Sequence, residues 1–211
     1  MNRRIYSWIL CLVVGLLAVP AMAQWPGEGT SDGTWHVSAN GGFLTGGTWL
    51  KTRVQGEPVK LETDAAWLVG AKAGIEDEYL GVEISLAGAF ADADLEVDPA
   101  AFIGDADDVS LFLGDVNALW FPFGNNIADG RIRPFVTGGP GILYFDSDFG
   151  PADSETALDI NAGAGVKLLL GDEGDVEVRL DYRWHYFTVT TSGLEDNLYR
   201  QELTAGVGFR F

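Results

Sequence analysis

Strict alternation of apolar and polar side chains is the feature that most constrains this chain, and it is clearest between Val176 and Phe187. Every second residue from Val176 to Tyr186 is apolar or aromatic, whereas every residue between them from Glu177 to His185 is ionisable. Because a β-strand places successive side chains on opposite faces, the segment predicts a strand with one apolar face and one charged face.

The same period of two recurs along the chain and predicts eight strands. They are expected at residues 35–43, 67–75, 80–90, 112–120, 134–145, 158–168, 176–187 and 199–211. The phase of the glycine-rich strand at 134–145 is ambiguous. We assign Thr137 to its polar face because it is the only polar side chain in that run.

The connections between these strands alternate in length. Residues 76–78 and 171–175 are short and 122–133 is intermediate, whereas 45–64, 91–108, 146–156 and 188–198 are mostly longer and polar. An even number of strands with short turns at one end and long loops at the other is typical of a transmembrane barrel. The sequence therefore predicts an all-β, eight-stranded antiparallel up-and-down transmembrane β-barrel that forms one domain over residues 24–211.

Residues 1–23 are expected to be a cleaved signal peptide. Arg3 and Arg4 precede the apolar run 5–19, and Ala21-Met22-Ala23 matches a cleavage site. The alternative is a short membrane anchor, although the run falls short of the roughly 20 residues that a spanning helix needs. The single cysteine lies in this segment, so the mature chain could form no disulfide framework.

The polar faces of the predicted strands carry charges of both signs. The basic residues are Lys72, Lys167, Arg179, Arg183, Arg200 and Arg210, and the acidic residues are Glu83, Asp115, Asp159, Glu177, Asp181 and Glu202. Such a balance suits groups that pair inside a narrow lumen, and we assign His185 to the same network. The alternative is a soluble lipocalin-like barrel with its apolar face inside.

Aromatic residues of the apolar faces concentrate near strand ends, as at the two interfaces of a membrane. One rim would comprise Trp35, Trp120 and Phe211, and the other would comprise Phe43, Trp67, Phe90, Trp184, Tyr186 and Tyr199.

The last strand has Phe209 and Phe211 on its apolar face, and this ending resembles the outer-membrane assembly signal. Residues 133–141, 161–167 and 179–184 resemble strands of the OmpA-like and OmpW-like outer-membrane β-barrel superfamily. The resemblance implies a bacterial outer-membrane barrel with both termini in the periplasm. Its expected partners are outer-membrane lipid, lipopolysaccharide and the assembly machinery, and the expected state is a monomer. The peptidoglycan-binding domain of full-length OmpA has no counterpart here, so no wall-tethering role follows.

The sequence predicts no cofactor, no metal site and no catalytic site. A net charge of −18 argues against nucleic-acid binding, which requires a basic surface. The two histidines, His36 and His185, fall at opposite ends of the barrel, roughly 25 Å apart, and could not share a metal ion. A hydrolase could be assembled from His185, Thr188 or Ser192, and Glu195 or Glu202, but the spacing matches no deacylase motif.

Two of the expected loops are strongly acidic. They contain Asp92, Asp94, Glu96, Asp98, Asp105, Asp107 and Asp108, and Asp146, Asp148, Asp153 and Glu155. Clustered carboxylates could bind divalent cations that bridge to lipopolysaccharide phosphates. The alternative is a solvated acidic surface that resists aggregation.

These features together predict a structural or surface-interaction role in the cell envelope. Two alternatives remain open: a narrow pore or conduit for small molecules, and a lipid-modifying outer-membrane enzyme.

Overall fold

The computed structural model describes residues 33–45, 47–54, 57–63, 65–97, 104–146, 155–171, 173–191 and 194–211. Its strands are β1 (Thr34–Leu44), β2 (Gly47–Val54), β3 (Glu57–Thr63), β4 (Ala66–Glu76), β5 (Leu80–Val97), β6 (Gly104–Trp120), β7 (Ile132–Asp146), β8 (Glu155–Leu170), β9 (Val176–Thr191) and β10 (Leu194–Arg210). A 3₁₀ turn covers Ala128–Gly130. In this part of the chain no helix combines the length and the apolar character needed to cross a membrane.

Eight of these strands close into a barrel in the order β1-β4-β5-β6-β7-β8-β9-β10 and back to β1, and every pair is antiparallel. The first and last strands close the ring in a register that runs from His36 opposite Arg210 to Leu44 opposite Glu202. The predicted eight-stranded up-and-down barrel is thereby confirmed. Closure pairs the backbone groups that a free sheet edge would leave unsatisfied in hydrocarbon.

The apolar faces of the strands lie on the outside of the barrel. Leu180 and Val207 are 49% and 55% exposed, whereas Arg179 and Asp181, the neighbours of Leu180 along β9, are buried. Thr137 is also buried, so β7 has the predicted phase. A soluble barrel with an apolar interior would show the opposite arrangement.

The predicted aromatic rims lie on this outer surface. Phe43 pairs with Trp67, which in turn pairs with Phe90, so that three outward rings stand side by side on β1, β4 and β5. At the other end of the barrel, Trp35 and Phe211 exchange two backbone hydrogen bonds. The rings therefore form two girdles at the levels where amphipathic aromatics favour a membrane interface.

The predicted long loops are wrong in part, because strands extend into them. The predicted loop 45–64 contains the hairpin β2–β3, and β3 pairs with residues 93–97 of β5. Strands β5 and β6 reach into 91–108, and β9 and β10 reach into 188–198. Outside a membrane both faces of a strand meet water, so the sequence no longer needs to alternate apolar and polar side chains, although the backbones of the strands still pair. We call this the loop end of the barrel.

The opposite end, which we call the turn end, has the short connections. In the first of them, the backbone N–H groups of Tyr79 and Leu80 each donate to Asp77 Oδ1 at 2.7 Å. These hydrogen bonds, from Leu80 and from Tyr79, lower the pKa of Asp77 below its ordinary value. The carboxylate thus fixes the turn between β4 and β5.

Candidate functional site in the barrel lumen

The barrel lumen brings together the charged residues of the inward strand faces. Eleven of the predicted charged groups and His185 are buried there, and Arg210 lies at the turn end with its side chain 14% exposed. The structure adds Glu76 and Arg133, one residue of each sign, so acidic and basic groups remain equal in number. We call this set the lumen charge network.

Glu76 is the centre of the network at the turn end. Its carboxylate is contacted by Arg133 Nη1 at 2.6 Å, Lys167 Nζ at 2.7 Å and Arg210 Nη2 at 3.3 Å. His36 Nδ1 lies 3.6 Å away. Glu76 thus connects strands β1, β4, β7, β8 and β10 through one side chain.

This turn-end group continues toward the middle of the lumen and outward to the connecting turn. Lys167 also contacts Glu177 at 3.0 Å. The Arg133 guanidinium donates to the backbone carbonyls of Asp77 and Glu78 at 2.6 and 3.2 Å. The buried network therefore holds the turn after β4 in place.

Arg179 is the centre of the network in the middle of the barrel. It donates to Glu83 at 2.5 Å and makes a bidentate pair with Asp181, with both nitrogen–oxygen distances at 2.8 Å. Lys72 donates to Asp181 at 3.0 Å, and Arg183 donates to Glu83 at 3.0 Å. Ions buried this deeply are tolerated because each has a partner of opposite sign.

His185 is the centre of a third group, which lies nearer the loop end. Its Nδ1 is 2.7 Å from Asp159 Oδ2, and its Nε2 is 3.2 Å from Glu202 Oε2. Asp115, Asp159 and His185 each direct one ligand atom into a region where these atoms lie within 4.8 Å of one another. Arg183 Nη1 lies 3.9 Å from Asp115 Oδ2. This group combines donors that could hold a metal ion.

A continuous apolar layer covers the network on the side of the loop end. Its buried members are Leu44, Ala66, Leu68, Ala89, Leu111, Leu113, Leu143, Ala157 and Phe187, and Ala87 and Leu198 pack against them. All eight strands of the barrel contribute to it. The Phe187 ring stacks on His185 with ring centres 5.5 Å apart. The layer therefore separates the charged groups from the loop end.

A smaller apolar cluster of Leu119, Phe121 and Phe135 lies beneath the network at the turn end. The guanidinium of Arg133 stands 4.0 Å over the centre of the Phe121 ring, and that of Arg179 stands 5.2 Å from the Phe135 ring. These cation–π contacts attach the charged groups to the cluster.

Sequence reasoning missed three features of this lumen: Glu76, Arg133 and the apolar layer. Glu76 was assigned to a turn, and Arg133 to the connection before β7. Glu76 follows the inward Gly74 by two residues, and Arg133 precedes the inward Phe135 by two residues, so each lies on the inward face of its strand. Phe187 likewise follows the inward His185 by two residues. The signal was present, but an apolar residue on an inward face does not look different from a lipid-facing one.

The two histidines have different partners in the lumen. His36 connects the turn-end group to the middle group, 3.6 Å from Glu76 and 3.1 Å from Glu83, whereas His185 belongs to the group under the apolar layer. Of the hydrolase candidates, Glu202 contacts His185, whereas Thr188 is half-buried and lies on the opposite face of β9 from His185. Ser192 lies outside the described residues, and the side chain of Glu195 is not described.

The acidic loop residues are only partly covered by the structure. Asp92, Asp94 and Glu96 occupy positions on β5, and Asp146 is the last residue of β7. Asp98 and Asp148 lie outside the described residues. Cation binding at these loops stays a prediction, as does the role of Phe209 and Phe211, which are exposed on the outer face.

Comparisons with known proteins agree with this architecture. A family model described as outer membrane protein beta-barrel domain matches residues 9–211. No protein with a curated description matches the chain.

Three solved structures illustrate the likeness. OprG from Pseudomonas aeruginosa has a TM-score of 0.61 at 13% identity, covering 88% of this chain and 99% of that one. Neisserial surface protein A has a TM-score of 0.58 at 16% identity, covering 84% and 97%. The N-terminal beta-barrel domain of Pseudomonas aeruginosa OprF has a TM-score of 0.51 at 16% identity, also covering 84% and 97%. At these identities the likeness shows a shared fold.

Proposed function

We propose, from the premise that this chain belongs to the family of outer membrane protein beta-barrel domains and lies in the bacterial outer membrane, that it is a closed structural barrel. In this role the barrel presents the acidic loop end, into which its strands extend, at the outer surface of the envelope. It does not act by conducting solutes through its lumen.

The observation that carries this proposal is the contact between opposite walls of the barrel. In the ring of eight strands β5 and β9 lie four positions apart, yet Glu83 of β5 contacts Arg179 and Arg183 of β9. All three side chains are fully buried, so the middle of the lumen is filled from wall to wall. An eight-stranded barrel is narrow enough for side chains to fill it.

The apolar layer above the network supports the same conclusion. An ion or polar solute entering from the loop end would have to pass the buried side chains of Leu111, Leu113 and Phe187. Moving an ion into such surroundings without partners costs several kcal/mol or more. A lipid-modifying enzyme is disfavoured for a related reason, because His185 lies beneath this layer and inside the barrel wall.

The surface role is supported by the distribution of charge and by the shape of the loop end. The lumen charge network contains equal numbers of acidic and basic groups, so the net charge of −18 resides outside it. The hairpin β2–β3 extends the sheet past the barrel through its pairing with β5. We expect this acidic face to meet lipopolysaccharide or a surface partner through divalent cations, and Phe209 and Phe211 to engage the assembly machinery.

The first experiment is conductance in planar lipid bilayers. The purified wild-type barrel is expected to give no steady channel. A matched variant, Glu83→Ala with Arg179→Ala and Phe187→Ala, removes the central contact and opens the apolar layer, and it is expected to raise the conductance. Reproducible wild-type channels of uniform size would overturn the structural role in favour of the narrow pore or conduit.

A second experiment tests the surface role and the enzyme alternative together in cells. A peptide tag inserted at residues 98–103, between β5 and β6, is expected to be accessible to antibody on intact cells. The lipid A profile is expected to be identical for wild type and His185→Ala. A profile that changes only when His185 is intact would establish the enzyme instead.

A further inference from the structure

Three neighbouring strands of the barrel wall place a glycine between two carboxylates, one on each side. Gly141 of β7 pairs with Asp115 of β6 on one side and with Asp159 of β8 on the other. A Cβ atom at Gly141 would overlap Asp115 Oδ1, so any other residue at this position would displace that carboxylate. The missing side chain leaves the space in which the two acids approach each other.

Each of these carboxylates has one oxygen without a partner among the described residues. Asp115 Oδ1 and Asp159 Oδ1 accept no hydrogen bond from this part of the chain, and the two residues are only 4% and 2% exposed. Buried polar atoms in native proteins nearly always have a partner, and a pair of unpartnered buried carboxylate oxygens needs a cation or a shared proton between them.

His185 supplies the third donor. Its Nδ1 faces Asp159, while its Nε2 is within hydrogen-bond distance of Glu202 at 3.2 Å. If Nε2–H donates to Glu202, the lone pair of Nδ1 faces Asp159 Oδ2 at 2.7 Å, and two such atoms need a cation or a proton between them. A histidine held by a carboxylate through its second nitrogen is the usual arrangement of a metal ligand.

We propose that Asp115, Asp159 and His185 bind one divalent transition-metal ion of the Zn²⁺ type inside the lumen, with Glu202 as the positioning residue of the histidine. One imidazole nitrogen and two carboxylate oxygens are donors that Zn²⁺ and its neighbours accept.

The geometry needs only small adjustments. Three ligand atoms held by a tetrahedral Zn²⁺ at about 2.0–2.2 Å lie about 3.4 Å from one another. The three atoms here already lie within 4.8 Å, so side-chain rotations that shorten their separations by about 1 Å or less per residue suffice. The ion would also balance the carboxylates of Asp115, Asp159 and Glu202, which surround one histidine.

The ion is enclosed by the apolar layer above and the charged network below, so it is expected to enter during folding. The test therefore refolds the mature barrel into detergent micelles in the presence of Zn²⁺ alone, followed by gel filtration and elemental analysis. A parallel sample is refolded with Co²⁺, whose visible absorption reports ligation by histidine and carboxylate. We expect close to one ion per barrel, retained after treatment with a chelator.

Variants distinguish the site from general binding of cations to buried acids. Asp115→Asn and Asp159→Asn keep the size of the side chain but remove a ligand. Glu202→Gln is expected to weaken Zn²⁺ affinity about 10–100-fold, as changes to an outer partner do, and the two Asn variants are expected to lose more. Gly141→Ala is expected to displace Asp115 and release the ion while leaving all three ligands present. The matched control is Asp181→Asn, which alters a buried carboxylate already paired with Lys72 and Arg179.

Folding of each variant is checked by its heat-dependent mobility on a denaturing gel. Wild-type barrel that folds but retains no Zn²⁺ and shows no Co²⁺ absorption would overturn the proposal and indicate a shared proton. Equal loss of metal in Asp181→Asn, or full retention in both Asn variants, would overturn it as well. The wild-type measurement decides the matter even where a variant does not fold.

Discussion

Arg179 and Glu83 stand on opposite walls of the barrel and contact each other, with Nη1 and Oε2 2.5 Å apart. They are 96 positions apart in the chain and belong to β9 and β5. Neither has exposed side-chain surface. The contact shows that this barrel is filled by side chains that reach its axis, and it explains why charged residues on the inward faces are stable at all.

Removing one partner of this pair should strongly destabilise the barrel. Arg179→Met leaves the carboxylates of Glu83 and Asp181 without their closest cation, and breaking a buried pair costs about 3–5 kcal/mol. The free energy of unfolding, measured by urea titration in lipid vesicles, should fall by that amount. The double variant Arg179→Met with Glu83→Gln should recover part of the loss.

The control for that experiment is Arg131→Met, since Arg131 is exposed in the connection between β6 and β7. Its effect should stay within about 0.5 kcal/mol. An Arg179 variant no less stable than the Arg131 variant would contradict the assigned role of the central contact.

The apolar layer should also contribute strongly to stability. Phe187 is fully buried within it. Phe187→Ala should lower the free energy of unfolding by about 3–5 kcal/mol, because a large cavity remains inside a rigid wall. Phe187→Leu should cost less. Phe123→Ala serves as control, since Phe123 is 51% exposed in a turn, and a similar loss for both alanine variants would argue against a packed layer.

Leu180 tests the orientation of the wall toward lipid. It is 49% exposed between the two aromatic girdles, so an arginine there would face the acyl chains. Leu180→Arg should cost about 2–4 kcal/mol in vesicles, as charged residues near the midplane of a bilayer do. Glu173→Arg, which changes an exposed residue in a turn, should cost little, and equal effects for the two would place Leu180 outside the hydrocarbon.

The turn after β4 should weaken in acid. The pKa of Asp77 is lowered from 3.8 by the N–H groups of Leu80 and Tyr79, so its carboxylate stabilises the folded turn above that value. The stabilisation should be lost as the pH falls below 3.8 and through the lowered folded-state pKa. Amide hydrogen exchange at Tyr79 and Leu80, followed by NMR and divided by the intrinsic exchange rate at each pH, should show a loss of protection there.

Asp77→Asn provides the control for this titration. Its amide oxygen can still accept the two hydrogen bonds but does not titrate, so exchange at Tyr79 and Leu80 should lose its dependence on Asp77 protonation. An acid-induced loss of protection of the same size in Asp77→Asn would assign the effect to another group.

Much of the barrel could be predicted because each membrane-spanning strand has one face toward hydrocarbon and one toward the lumen, so apolar and polar side chains must alternate. On β9, the alternation of Leu180 with Arg179 and Asp181 indicated which face met lipid, and the structure has that phase. The prediction of strands failed beyond the lipid-facing part of the barrel, where no face of a strand has to be apolar. The hairpin β2–β3 was expected to be loop, because a strand in water needs no apolar face and backbone pairing has no sequence period.

The sequence by itself determined the class of the protein: strands of alternating character, an even number of them, and a lipid-facing apolar side. Alternation assigns each residue to a face, but it cannot state which residues from different strands meet. That depended on the closure of the ring and on the register between its strands. Only the tertiary structure brought Glu83 to Arg179, closed the lumen with Leu113 and Phe187, and set Asp115 beside Asp159 across Gly141, because these contacts join residues that are close only in the closed barrel.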